Sequence, residues 1–251
     1  MAYAIDLTGK RALVTGASSG FGRHFAQVLA ATGAAVVVGA RRTDRLEDLV
    51  EAIRARGGDA QAVPMDVTDA DSIAAAFAAA GLVDIVVNNA GVGGAKPLIE
   101  TTAADYDAVI DTNLRGAFLV AVAAGRAMQQ HGRGGAIVNI ASILGLRVAP
   151  YFGPYCISKA GVVHMTAQMA LELAPWNIRV NAIAPGYFIT EMTEGYLTSE
   201  QGRQVTKRIP LGRFGEYADL DAPLLMLASD AGRHITGVTI PVDGGHQLGG
   251  L

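Results

Sequence analysis

Cysteine is nearly missing from this chain: Cys156 is the only one in 251 residues. A single thiol excludes an internal disulfide framework and suits a reducing compartment. A dominant charge is missing too. Lys and Arg number 20 against 23 Asp and Glu, a formal net charge of −3, which leaves no basic footprint for nucleic acid. No run approaches the roughly 18 uncharged apolar residues that suggest a membrane span. One long uncharged run, 72–83, is rich in Ala and has the texture of a packed helix. Near the N-terminus stand Asp6 and Lys10 rather than the apolar core of a signal peptide. The expectation is a cytoplasmic protein that meets neither nucleic acid nor membrane.

What is present is apolar and evenly spread. Hydrophobic residues make up 51% of the chain, and the 31 glycines form no low-complexity tract. At roughly 100–200 residues per domain the length allows one large domain or two small ones, and no linker or internal repeat divides it. Short β-branched runs at 11–14, 35–39, 60–64, 84–87, 136–140, 179–184 and 238–241 alternate with helical patterns near 20–32, 44–56, 69–80, 102–130, 155–174 and 217–228. The strand candidates are continuously apolar, as in Val36-Val37-Val38 and Ile85-Val86-Val87. Such runs predict a parallel sheet covered on both faces. The fold class expected is α/β: a single doubly wound Rossmann-type domain over 1–251, with about seven parallel strands and ligands at their carboxyl ends.

The first predicted strand runs into Thr15-Gly16-Ala17-Ser18-Ser19-Gly20-Phe21-Gly22 and then a helical pattern. Glycine lets the backbone turn tightly and approach a phosphate without a Cβ in the way. The helix start adds N–H groups and the positive end of its dipole. The plain alternative is a tight turn that only joins two elements. In this Gly-x-x-x-Gly-x-Gly spacing the chain resembles the short-chain dehydrogenase/reductase family, and the resemblance extends from Leu7 to about Gly245. It implies a nicotinamide dinucleotide held by Gly16, Ser18, Ser19, Gly20, Phe21 and Gly22.

The second strand ends at Ala40-Arg41-Arg42. An acidic residue there accepts from the adenosine ribose and repels a 2′-phosphate. By the family pattern, Ala40 stands where NAD-preferring members carry Asp. Arg41 and Arg42 offer permanently charged planar forks that suit phosphate. NADP(H) is therefore the expected cofactor, with NAD the alternative. The two arginines could instead solvate a loop, with Asp44 pairing one of them, and Ser19 stands where some NADP-using relatives carry a basic residue. The resemblance further assigns Asp66 and Val67 to the adenine and Asn89, Ala90 and Gly91 to the region beside its ribose. It assigns Pro185, Gly186, Ile189 and Thr190 to the nicotinamide. From the residues alone, Asp66 or Thr190 could be a helix N-cap and the run from Asn88 to Gly91 a polar turn.

Tyr155-Cys156-Ile157-Ser158-Lys159 opens an amphipathic helix, and the i, i+4 spacing puts Tyr155 and Lys159 on one face. A free tyrosine titrates near ~10; a neighbouring ammonium favours the phenolate and is expected to lower that value. A tyrosine so tuned can protonate a ketone or deprotonate an alcohol. Ser142 lies thirteen residues earlier, the family's usual interval. Asn113 falls inside a long helical pattern, where its side chain competes for backbone groups. By resemblance Asn113, Ser142, Tyr155 and Lys159 form a catalytic tetrad, with Asn113 at a helix irregularity. Lys159 also holds the nicotinamide ribose.

The resemblance makes 187–215 a mobile substrate lid. Its sequence mixes Glu191, Met192, Glu194, Tyr196 and Leu197 with Arg203, Lys207 and Arg208. Leu144, Leu146, Tyr151 and Phe152 give the pocket an apolar side, or pack under the lid. The function expected is an oxidoreductase that interconverts a small-molecule ketone and a secondary alcohol. The alternatives are a 3-oxoacyl reductase acting on carrier protein or CoA, and a non-catalytic dinucleotide sensor. Carrier-protein reductases often carry Arg before the Glu of the helix after the tetrad, whereas here Leu171 precedes Glu172. That, with the acidic net charge, ranks a secondary alcohol, sugar or acyl-CoA above a carrier protein. Met165 and Met169 suit a core or a subunit interface, and the resemblance implies a homo-oligomer, tetramer or dimer. The five histidines lack metal-ligand spacing, so no metal is expected.

Overall fold

Strand and helix alternate from the start. A computed structural model describes residues 5–249; residues 1–4 and 250–251 of the expected domain, and the side chains of Gln201 and Arg203, lie outside the described residues. In chain order the elements are β1 (Arg11–Thr15), α1 (Gly20–Ala31), β2 (Ala35–Ala40), α2 (Thr43–Arg54), β3 (Ala60–Pro64), α3 (Ala70–Ala80) and β4 (Ile85–Asn88). They continue with α4 (Ala103–Ile110), α5 (Ala117–His131), β5 (Gly135–Ile140), α6 (Gly153–Leu173) and β6 (Ile178–Pro185). The last are α7 (Glu194–Leu197), α8 (Glu200–Thr206), α9 (Asp221–Ala228) and β7 (Thr239–Val242).

Among the described residues, seven strands form one parallel sheet in the order β3-β2-β1-β4-β5-β6-β7. Side chains alternate across a strand. Val36 and Val38 therefore join Phe25, Leu29, Leu46 and Leu224 on one face, while Val37 joins Ile73, Val120, Met128 and Met169 on the other. Two cores explain why these strands read as unbroken apolar runs. The strand order reverses between β1 and β4, which leaves a crevice above their carboxyl ends.

The helix expected over 102–130 is interrupted. α4 and α5 flank a π-helical segment, Asp111–Gly116, that contains Asn113. Within Ala103–His131 an 18-residue window has mean hydropathy 1.3, long and apolar enough to span a membrane by that test alone, yet α5 buries Val120, Ala121, Ala124 and Met128 in the core. α6 begins at Gly153, two residues before the expected start, because Pro154 fits a first helical turn. The pattern near 217–228 divides into a 3-10 turn, Tyr217–Leu220, and the short α9. α7 and α8 lie in the segment for which no helix was expected.

Candidate active site

The crevice forms a cleft of about 540 Å³ running from the end of β2 to the start of α6. Its floor is the glycine loop. Gly16 sits at φ +65°, and a Cβ there would lie 2.8 Å from the Ala90 Cα. At Gly22 an added Cβ would lie 2.4 Å from the Gly16 carbonyl oxygen, so only glycine closes this turn. Thr15 ties the loop to the end of β4, its Oγ1 accepting from the N–H groups of Asn89 and Ala90 at 3.0 Å each. The Asn89 amide donates to the carbonyls of Thr15 and Gly16, at 3.0 and 3.3 Å. Its side chain thus braces the loop. Ser19 opens α1 with no side-chain cap, and the first turn holds no acidic residue. Its N–H groups are available to an anion in the cleft.

Arg42 reaches this loop. Its Nε and Nη2 donate to Ser18 Oγ at 3.2 and 3.0 Å, and Nη2 donates to Ser19 Oγ at 2.9 Å. Neither Arg41 nor Arg42 pairs with Asp44; the carboxylate near Arg42 is Glu191, at 3.7 Å. Asp66 accepts from the Thr68 N–H and hydroxyl, at 3.0 and 2.8 Å. Those bonds hold its carboxyl below the usual range, and Arg41 adds to the effect. Asp69, not Asp66, caps α3.

At the other end lie Ser142, Tyr155 and Lys159. Ser142 Oγ accepts from the Leu144 N–H at 3.1 Å. Lys159 is buried, donates to the Ile140 carbonyl at 2.8 Å, and has its Nζ 5.7 Å from the centre of the Tyr155 ring. Asn113 sits behind the cleft, holding Val92 by its N–H and its carbonyl, and donates to Ser158 Oγ at 3.3 Å. An added Cβ on Gly91 would lie 3.3 Å from Asn113 Oδ1 and 3.7 Å from Lys159 Nζ, so those two groups converge there.

The expected lowering of the Tyr155 pKa is reversed. Burial raises it, outweighing the hydrogen bond with Ser142 that pulls it down. Burial also lowers Lys159 from 10.5 to about 8. Both groups are pushed toward their neutral forms, because desolvation penalises charge at either site.

Pro185, Gly186 and Thr190 line the cleft together with Phe188, Glu191 and Met192. Thr190 Oγ1 lies 3.1 Å from Thr193 Oγ1, and the Thr190 carbonyl accepts from Thr193 and Glu194 in a turn. Ile189 is half exposed and, like Gly22, stands outside the cleft lining. Phe188 packs edge-on against Phe21 at 5.2 Å.

A family model described as enoyl-(acyl carrier protein) reductase matches residues 16–247. The chain is 40% identical over 248 residues to an L-rhamnose 1-dehydrogenase (NAD(P)(+)) of Azotobacter vinelandii, covering 95% of this chain and 97% of that one. It is 41% identical over 245 residues to a 3-oxoacyl-[acyl-carrier-protein] reductase of Staphylococcus aureus, covering 95% and 98%. A solved gluconate 5-dehydrogenase of Burkholderia cenocepacia, in complex with NADP and tartrate, superposes with a TM-score of 0.94 at 34% identity, covering 98% of each chain. The chain belongs to the short-chain dehydrogenase/reductase family.

As a short-chain dehydrogenase/reductase it is an NAD(P)-dependent enzyme that interconverts a ketone and a secondary alcohol by hydride transfer. It is an enzyme and not a non-catalytic dinucleotide sensor. The residues present fit a nicotinamide dinucleotide: the loop has no room for a Cβ at Gly16 or Gly22, and the helix start beside it is uncapped.

Sequence reasoning missed Val92, Gly93 and Phe188 in the cleft lining, the tie from Thr15 to the end of β4, and the pairing of Glu191 with Arg42 and Arg45. Thr15 and Phe188 flank recognised motifs and were within reach of the pattern. Arg45 and Glu191 are 146 residues apart, and no local signal joins them.

Proposed function

We propose that this enzyme prefers NADP(H) and that Asn113, Ser142, Tyr155 and Lys159 carry the proton side of its reaction. The observation that carries the preference is Arg42 on the hydroxyls of Ser18 and Ser19, beside Ala40 where an acid would repel a 2′-phosphate. When bound, the nicotinamide supplies or accepts the hydride. In reduction, the Tyr155 phenol, kept protonated by burial, donates its proton to the ketone oxygen. Ser142 donates to the same oxygen and orients it. Lys159, whose pKa of about 8 lets it hold or release a proton near neutrality, re-protonates Tyr155 and binds the cofactor ribose. Asn113 holds the loop at Val92 that joins these groups. In oxidation the proton moves the other way, from the alcohol to Tyr155.

The chain works as a single domain over 1–251, with a lid at 187–215 that carries Glu191 and Met192 over the cleft. Asp66, Val67, Asn89 and Gly91 take the adenosine, while Pro185, Gly186, Ile189 and Thr190 take the nicotinamide. The substrate is a small secondary alcohol, sugar or acyl-CoA. Leu171, exposed ahead of Glu172 on α6, offers apolar surface where an acidic protein partner needs a cation. The second reading, reduction of a 3-oxoacyl carrier protein, is supported by the Staphylococcus aureus relative. Exposed apolar side chains on α5 and α6, Phe118 and Ile157 among them, support a homo-oligomer, tetramer or dimer, and the free Cys156 supports a cytoplasmic setting.

The test is a binding titration with NADPH and NADH, then a panel of sugars, secondary alcohols and 3-oxoacyl thioesters with the tighter cofactor. NADPH is expected to bind at least about tenfold tighter, the worth of one charge-assisted phosphate contact. Tighter NADH binding overturns the preference. Turnover confined to 3-oxoacyl carrier protein replaces the first substrate reading with the second.

A further inference from the structure

Glu191 lies in the turn between β6 and α7, yet its partners are on the far wall of the cleft. Arg45 Nη1 donates to both of its carboxylate oxygens, at 2.9 and 3.2 Å. Arg42 Nη1 stands 3.7 Å from Oε2 while its other nitrogens hold Ser18 and Ser19. Among the described residues no other carboxylate forms an ion pair with either arginine. The next residue, Met192, leans the opposite way: a Cβ on Gly93 would lie 2.8 Å from its Sδ. Two neighbouring residues thus strap the segment across the cleft, one to the start of α2 and one to the loop after β4.

We propose that Glu191 is a specificity-determining residue for the cofactor: its carboxylate is an internal anion that competes with a 2′-phosphate monoester for Arg42 and Arg45, and releasing it frees the strap. The proposal rests on the NADP(H) reading above. A phosphate monoester carries about −1.5 to −2 at neutral pH against −1 for a carboxylate, so the incoming group wins the exchange. NAD(H) carries a ribose hydroxyl at that place and has nothing to gain from displacing Glu191. The side chains are 45%, 41% and 61% exposed for Arg42, Arg45 and Glu191, so the competing contact is solvent-screened and modest.

The experiment compares wild type with Glu191→Gln by binding titration against NADP+, NAD+, 2′,5′-ADP and 5′-AMP, with hydrogen exchange read over 190–197. The variant is expected to bind NADP+ and 2′,5′-ADP about threefold to fivefold tighter, the size of an exposed ion pair, and NAD+ and 5′-AMP within about 1.5-fold of wild type. In wild type, 2′,5′-ADP is expected to speed exchange over 190–197 while 5′-AMP does not; in the variant neither does. Equal changes for NADP+ and NAD+, or weaker NADP+ binding in the variant, overturn the competition. Exchange in wild type that ignores 2′,5′-ADP overturns the link to the strap. The NADP(H) preference is read separately, from the wild-type NADP+ to NAD+ ratio alone, so a failure of either claim is recognisable.

Discussion

The Asn113 carboxamide grips Val92 at both ends, accepting from its N–H at 2.7 Å and donating to its carbonyl at 2.8 Å. The π-helical segment Asp111–Gly116 puts the amide where a regular helix would leave it competing with its own backbone. Asn113→Leu leaves both Val92 groups without partners and is expected to destabilise the fold by about 2 kcal/mol. That lowers Tm by roughly 4–8 °C for a chain of this size. A melting curve checks it, and an unchanged Tm shows that the grip is not structural.

Tyr155→Phe removes the proposed proton donor while keeping the ring. Turnover is expected to fall by about 10²–10⁴, with dinucleotide Kd within about twofold. Because burial raises the Tyr155 pKa, the phenol is the resting form. Ketone reduction is then expected to hold at neutral pH and fall as pH rises, and alcohol oxidation to climb with pH. Profiles that match in wild type and variant would remove Tyr155 from the acid–base role.

Lys159 links stability to pH. Its folded pKa of about 8 lies below the unfolded 10.5, so between those values the unfolded chain binds more protons and stability rises with pH. Below about 8 the burial penalty is complete, on the order of 3 kcal/mol. Lys159→Met lacks this group. Chemical denaturation from pH 7 to 10 should show wild type gaining on the variant as pH rises, and a constant difference would refute the shift.

Gly22→Ala places a methyl 2.4 Å from the Gly16 carbonyl oxygen and 2.5 Å from the Asn89 amide nitrogen. Both neighbours hold the floor of the cleft, so the loop must shift. A loss of about 1–3 kcal/mol in stability is expected from the overpacking, with weaker binding of both NADPH and NADH. Unaltered dinucleotide affinity would show that this turn does not shape the binding site.

Arg42→Ala removes the donor that sits on Ser18 and Ser19. NADPH affinity is expected to fall about 10- to 100-fold and NADH affinity by less than about twofold. Equal losses would identify Arg42 as a brace of the glycine loop. Arg41 also lines the cleft, and its charge acts on Asp66.

Local periodicity and motif spacing carried much of this protein. The runs placed every strand to within two residues at either end; for β1, β2 and β4 the reason is that a parallel strand buried on both faces needs an unbroken run of apolar side chains. The Gly16–Gly22 spacing is legible because steric exclusion at a tight turn is a property of the residue itself. The i, i+4 relation of Tyr155 and Lys159 follows from helix geometry alone. Asn113 was legible as a misfit in a helix, though not the π-helical turn that accommodates it or the hold on Val92.

Other features depend on residues distant in the chain. Nothing local in the sequence gives the direction of the Tyr155 shift: burial of the phenol in the fold raises its pKa and outweighs the hydrogen bond with Ser142. Arg42 and Arg41 are equivalent in the sequence; only the folded β2–α2 turn sends one to the glycine loop and leaves the other near Asp66. The sequence by itself determined the alternation of strand and helix, the glycine turn and the placing of Tyr155 and Lys159 on one helix face, since each is written in neighbouring residues. Tertiary structure alone decided the direction in which the Tyr155 and Lys159 pKa values shift and the pairing of Glu191 with Arg42 and Arg45, because desolvation and long-range contact arise only when separate elements meet across the cleft.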